Sequence, residues 1–275
     1  MNRYIDLHIH TTFSDGTMTP KEILELTVNT DIHAIAITDH DTMNGYFDVL
    51  DIAEQYDVEL ICGVELSCEQ DEKDIHILAY FPNKVGKEFT DYLQELSDYR
   101  EVRVRKIVEK LNDLGIDISL DYILSDLTTD SPGRLHVARA LLKKGIIYSI
   151  RDAFKKYIGE DCPAYVKKKK LSVDECIELI HNFGGIAVLA HPGIYNQDYL
   201  KEHLLDKNID GIEVFHSDHG VGDINRFIDL ARRNKMIMTG GSDFHGIMHK
   251  TRPFGRAEIP YSLLEILRET HSKMY

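Results

Sequence analysis

Short apolar runs recur along the chain, each ending in a polar cluster: YIDLHI at residues 4–9, AIAIT at 34–38, ELICGVEL at 59–66 and IHILAY at 75–80. Runs of this length, bounded by turn-forming residues, predict buried parallel strands. Helical segments separate the first three. One is PKEILELTVNT, with Thr19 as its N-cap and Pro20 in the first helical position; the other runs from Thr42 to Gln55. The β-α alternation resumes with IAVLA at 186–190, DGIEVF at 210–215 and MIMTG at 236–240, separated by helices near 196–207 and 221–233. Together the two halves predict one barrel-like α/β sheet.

Between them the period changes. In DYLQELSDYREVRVRKIVEKLNDLG, Leu93, Leu96, Val104, Ile107, Val108 and Leu111 fall at helical spacing. SPGRLHVARALLKKG at 131–145 places Ser131 and Pro132 at a helix start and Gly145 at its stop, and the basic run KKKK follows at 167–170. The expected organisation is a barrel domain of residues 1–90 and 171–275, interrupted by a helical insertion subdomain at 91–170.

Composition narrows the chemistry. The chain of 275 residues is 43% hydrophobic and 28% charged, enough for one large core. No apolar run approaches the roughly 20 residues of a membrane span, and MNRYIDLHIH carries no export signal, so a cytoplasmic protein with no membrane partner is expected. Cys62, Cys68, Cys162 and Cys176 form no C-x-x-C pair, which argues against a disulfide framework and a thiolate zinc site. A net charge of -14 disfavours a grip on long nucleic acid, although a small anion can bind locally. Nothing in the pattern sets an oligomeric state.

The polar clusters give the sharper signal. His8 and His10 end the first strand, with Asp15 in the following loop; Asp39 and His40 follow the second and Glu65 the third; His76 lies on the next. His191 follows IAVLA, Glu213 and His216 belong to GIEVFH, and Asp243 and His245 follow MIMTG. The carboxyl ends of parallel strands converge on one face, so these residues can meet there. A single histidine at a strand end is usually a cap or a satisfied polar contact, but this series points to a metal centre. Imidazole and carboxylate donors suit zinc, manganese or ferrous iron, and their number implies two or three divalent ions. Clustered ions are suited to phosphate ester hydrolysis, in which no nucleophilic side chain is needed. Glu213 and Asp39 are expected to support ligands through hydrogen bonds. His33, His181, His203, His219, His249 and His271 are expected to be surface or structural, with His219 and His249 nearest to exceptions.

At DLHIHTTFSDG, ITDHD, GVE, the isolated His76, AHPG and GSDFH, the sequence resembles the PHP family, named for polymerase and histidinol phosphatase, over almost its whole length. The resemblance implies a distorted TIM-like (β/α) barrel with a trinuclear metal centre. Carried over, His8, His10, Glu65 and Asp243 would hold one ion, Glu65, His76 and His191 a second, and Asp15, His40 and His245 a third. The insert is similar to that of the branch acting on nucleotides, whose pattern Arg134 and His136 match. A guanidinium at a helix N-terminus suits a terminal phosphate; its plain alternative is a surface ion pair. His216 is open between phosphate contact, general acid and no role.

The expected function is therefore metal-dependent hydrolysis of small phosphorylated substrates by a metal-bridging hydroxide. The favoured substrate is a 3′,5′-nucleotide bisphosphate losing its 3′-phosphate. Histidinol phosphate hydrolysis, 5′-to-3′ trimming of short RNA and a non-catalytic metal-dependent regulatory module are the alternatives.

Overall fold

YIDLHI forms the first strand of the sheet around which the protein is organised. The computed structural model describes residues 3–28, 30–83, 85–125, 132–167, 171–247, 252–255 and 258–275. The strands are β1 (Tyr4–Ile9), β2 (Ile32–Ile37), β3 (Glu59–Gln70), β4 (Lys73–Phe81), β5 (Leu171–Ser172), β6 (Ile186–Leu189), β7 (Gly211–His216), β8 (Ile237–Gly241) and β9 (Ile259–Pro260). The helices are α1 (Pro20–Thr27), α2 (Asn44–Val49), α3 (Lys87–Asp113), α4 (Leu120–Leu124), α5 (Arg134–Lys143), α6 (Ile150–Ala153), α7 (Val173–Asn182), α8 (Gln197–Tyr199), α9 (Val221–Asn234) and α10 (Ser262–Met274). No helix among the described residues is long and apolar enough to cross a membrane.

Two compact units emerge: Met1–Thr90 with Lys170–Tyr275, and Asp91–Lys169. In the first, the strand path is β8-β7-β6-β4-β3-β2-β1-β9, and β5 pairs with β3. The path curls into a nearly closed barrel because β8 returns to β1: Ile9 bridges Phe244, and His10 N–H donates to Phe244 O at 2.9 Å. Gly241 makes this seam possible, since a Cβ there would lie 2.2 Å from the His8 Cβ. Ile5, Leu7, Leu78, Val188, Leu264 and Leu267 are among the residues of one buried cluster. Each such side chain contributes about 1.5–3 kcal/mol on burial. The second unit packs Val104, Ile107, Leu111, Val137, Leu141 and Ile158 into a core of its own.

Thr19 caps α1 as its sequence predicts: its hydroxyl accepts from Glu22 N–H, and the Glu22 carboxylate accepts from Thr19 N–H. One expectation fails. IHILAY is not a parallel strand, because β4 runs antiparallel to both β3 and β6. Only Asp71 and Glu72 separate β3 from β4, both at positive φ (48° and 63°), and a two-residue connection makes a hairpin but cannot make a parallel crossover. The remaining neighbours from β1 to β3 and from β6 to β8 are parallel.

Three helix boundaries also shift. The stretch from Thr42 to Gln55 divides into α2 and a 3-10 turn at Ala53–Tyr56. The segment near 196–207 becomes α8 followed by a π turn at Leu200–Leu204. α5 begins at Arg134 with Gly133 as its cap. Ser131, Lys168–Lys170 and His249 lie outside the described residues.

Candidate metal centre

Side chains alternate along a strand, so Asp6 and His8 share one face of β1, and His10 follows immediately after its end; all three are nearly fully buried. β2 and β3 stay joined past their regular pairing, with His40 bridged to Glu65, which sets these two residues side by side. The reversal of β4 explains how His76 joins them. It pairs with Ser67 near the start of β4, which lies beside the end of β3. His191 and Asp243, in the loops after β6 and β8, adopt φ of 29° and 52°. Left-handed backbone at a residue other than glycine costs on the order of 1–3 kcal/mol and is often retained at functional sites.

Glu65 is the hub. Its Oε1 lies 3.0 Å from both His76 Nδ1 and His191 Nε2. Its Oε2 lies 3.0 Å from His10 Nε2, 3.2 Å from His40 Nδ1 and 3.3 Å from His8 Nε2. Asp243 Oδ1 is 3.2 Å from His10 Nε2, 3.5 Å from His8 Nε2 and 3.4 Å from His245 Nδ1. Asp15 Oδ1 lies 3.2 Å from His245 Nε2, and Asp15 Oδ2 lies 3.9 Å from His40 Nε2. All nine histidines and carboxylates expected to be ligands therefore converge.

Three donor groupings follow, each with its atoms within 4.8 Å of one another: His10, Asp15, His40 and His245; His8, His10 and Asp243; and His40, Glu65 and His76. A fourth, His8 with Glu213 and His216, has the same proximity but is already committed to hydrogen bonds. Glu213 Oε1 lies 2.9 Å from His8 Nδ1, and its Oε2 accepts from His191 N–H at 2.7 Å. Glu213 thus directs His8 Nε2 toward the cluster. His216 Nδ1 accepts from Asp218 N–H at 3.1 Å, which puts the proton on Nε2, 3.4 Å from Asp243 Oδ2.

Burial opposes ionisation of Glu65, yet His40, His76 and His8 hold its carboxyl well below the usual range. Asp243 and Asp15 are likewise lowered by surrounding histidines against the cost of burial. His10 is raised to about 10: burial opposes its charge, but Asp243 and Glu65 outweigh it. Burial, by contrast, pushes the His40 and His191 imidazoles down from their ordinary value. His40 Nδ1, Glu65 Oε2 and His76 Nδ1 are buried with no hydrogen-bond partner among the described residues. Such acceptors facing one another are costly unless a cation sits among them, and nitrogen and carboxylate donors fit divalent metals.

Other expected residues have different surroundings. Asp39 accepts from Thr11 N–H (2.7 Å), Thr11 Oγ1 (2.7 Å) and Ser14 Oγ (2.6 Å), fixing the loop that carries Asp15. His219 spends both ring nitrogens on backbone, with Nδ1 2.9 Å from Val214 O and Nε2 accepting from Gly193 N–H at 3.1 Å. In the second compact unit, Arg134 starts α5, with its guanidinium 5.6 and 5.5 Å from the ring centres of Phe154 and Tyr165. His136 Nδ1 accepts from Gly133 N–H at 3.0 Å and so caps the same helix.

Sequence reasoning missed Asp6, Asp218 and Arg252. Asp6 accepts from Ser242 N–H (2.8 Å) and Gly255 N–H (3.1 Å), tying β1 to the chain after β8. Its place two residues before His8 was the available signal. Arg252 bridges Asp218 and Asp243 from a segment without periodic pattern.

A family model described as the PHP domain matches residues 6–251. A 5′-3′ exoribonuclease of Haemophilus influenzae is 32% identical over 250 residues, covering 89% of this chain and 91% of that protein. A 3′,5′-nucleoside bisphosphate phosphatase of Chromobacterium violaceum is 29% identical over 279 residues, covering 98% of this chain and 97% of that one. A solved Bifidobacterium adolescentis protein assigned as a metal-dependent phosphoesterase superposes with a TM-score of 0.82 at 26% identity, covering 96% and 95% of the two chains.

Proposed function

The chain belongs to the PHP domain family and is a metal-dependent phosphoesterase; from that premise we propose that it hydrolyses phosphate monoesters of small nucleotides. Its favoured target is the 3′-phosphate of a 3′,5′-nucleotide bisphosphate. We assign His8, His10, Asp15, His40, Glu65, His76, His191, Asp243 and His245 as the ligands of two or three divalent ions, manganese, iron or zinc. Bound there, the ions would activate water and neutralise charge on the phosphoryl oxygens. Glu65 presents its two oxygens to different histidines, which suits a carboxylate shared between ions. Glu213 orients His8, and Asp39 holds the loop of Asp15.

The observation that carries the choice of substrate is Arg134. No carboxylate among the described residues pairs with it, and its backbone N–H group belongs to the first turn of α5, where an anion is favoured. Arg134 would contact a phosphate of the substrate, and His136 would keep the helix start in place. The free cysteines accord with a cytoplasmic enzyme.

The relative from Haemophilus influenzae favours a second reading, removal of nucleotides from the 5′ end of short RNA, which needs the same donors. The test is phosphate or nucleotide release by the manganese-loaded protein from 3′-phosphoadenosine 5′-phosphate, AMP, histidinol phosphate and a 5′-phosphorylated dinucleotide, with Asp243→Ala as control. Selective release from the bisphosphate is expected. Arg134→Ala should raise KM for the bisphosphate about tenfold or more, the weight of one charged hydrogen-bonded contact, and leave an aryl phosphate nearly unchanged. Equal effects on both would remove Arg134 from recognition; preference for the dinucleotide would select the second reading.

A further inference from the structure

Arg252 is the one arginine or lysine paired with a carboxylate of the cluster among the described residues. Its Nε and Nη2 donate to Asp218 Oδ2 at 3.0 and 2.6 Å, and its Nη1 donates to Asp243 Oδ2. Asp243 is nearly fully buried, whereas Arg252 keeps 28% of its side chain exposed, so the guanidinium closes the edge of the cluster. The two oxygens of Asp243 have different surroundings. Oδ2 receives Arg252 and faces the protonated Nε2 of His216, while Oδ1 faces His8, His10 and His245.

A carboxylate can turn about its last bond and exchange its oxygens at little cost unless something distinguishes them. Here the donors on Oδ2 distinguish them. We propose that Arg252 is a positioning residue of the metal centre: tethered to Asp218, it engages Asp243 Oδ2 so that Oδ1 is the oxygen offered, with His8 and His10, to a divalent cation. Asp218 is fixed in turn, because its own N–H donates to His216 Nδ1. The end of β7 and the turn after it thereby set both donors to Oδ2. A guanidinium spans two carboxylates with separate N–H groups, and an ammonium on a flexible stem holds two acceptors less well. The inference rests on the reading of this cluster as a metal centre.

Cobalt(II) is the probe, titrated into the full-length metal-free protein and into Arg252→Leu, Arg252→Lys and Asp218→Asn. Its visible spectrum reports coordination geometry, and competition with a chelator reports affinity. Arg252→Leu should weaken the affected position by about 10–100-fold, the usual effect of losing a group that orients a ligand, and alter its band intensities. Arg252→Lys should recover part of the affinity. Asp218→Asn should act in the same direction, and the Arg252→Leu/Asp218→Asn pair should be no worse than Arg252→Leu alone, since both cut one tether. Unchanged affinity and spectrum in the variants would overturn the assignment. If Arg252→Leu does not fold, wild-type behaviour of Arg252→Lys and Asp218→Asn would overturn it equally. Failure of the unmutated protein to bind cobalt would instead sink the metal-centre reading, and the inference with it.

Discussion

At the scale of single residues, Glu213 shows how the cluster is held. It is fully buried and touches two of the assigned ligands, His8 through the side chain and His191 through the backbone. Glu213→Gln keeps the shape but removes the charge that favours a directed His8 Nδ1–H. Metal affinity should fall by about 10–100-fold, as read by chelator competition, with little change in melting temperature. A variant that binds metal normally would leave Glu213 a packing residue. Most of the residues assigned as ligands stood out because they end or follow an apolar run, where a lone polar residue is conspicuous; His76, inside the run of β4, is the exception. Arg252 was not. It lies in TRPFG, and neither spacing nor alternation ties it to Asp243, nine positions earlier. Nor did His136 declare its cap, because a histidine accepting from the helix start reads the same as one facing a ligand.

At the scale of elements, period and caps carried most of the information. Thr19 with Pro20 marked the start of α1, and Ile107, Val108 and Leu111 marked the buried stripe of α3, although α1 ends at Thr27 and α3 already begins at Lys87. The direction of β4 was not legible from its apolar run, which looks alike in either sense. The loop length alone held that information, and QDEKD lacks the Asn-Gly signal of a tight hairpin. Its turn makes a prediction. Glu72 is exposed at φ 63°, a conformation costing a residue with a Cβ about 1 kcal/mol that glycine avoids. Glycine gives back part of this through the freedom it adds to the unfolded chain. Glu72→Gly should therefore stabilise the protein by about 0.5 kcal/mol in urea unfolding, without altering activity. Destabilisation would mean that the hairpin turn is not built as described.

At the scale of the whole molecule, charge separates the two substrate readings. Binding of long RNA by a basic surface releases counterions and weakens steeply as salt rises. This chain carries a net charge of -14 and stays negative after three divalent ions are added. A polyanion reaching the cluster must approach a like-charged body, and salt screens that repulsion over about 10 Å at 0.1 M. A substrate with one or two phosphates meets little of it, because the local field of the ions dominates at close range. kcat/KM for 5′-phosphorylated RNA should therefore fall as the strand lengthens beyond a few nucleotides. Raising salt from about 0.02 to 0.1 M, over which the screening length falls about twofold, should leave the rate on a nucleotide bisphosphate nearly flat. The same change should hold or raise the rate on a 20-nucleotide strand, about the reverse of the slope that a basic groove would give. A steep loss on the long strand with added salt would show that a local basic surface overrides the net charge. The exoribonuclease reading would then become the stronger of the two.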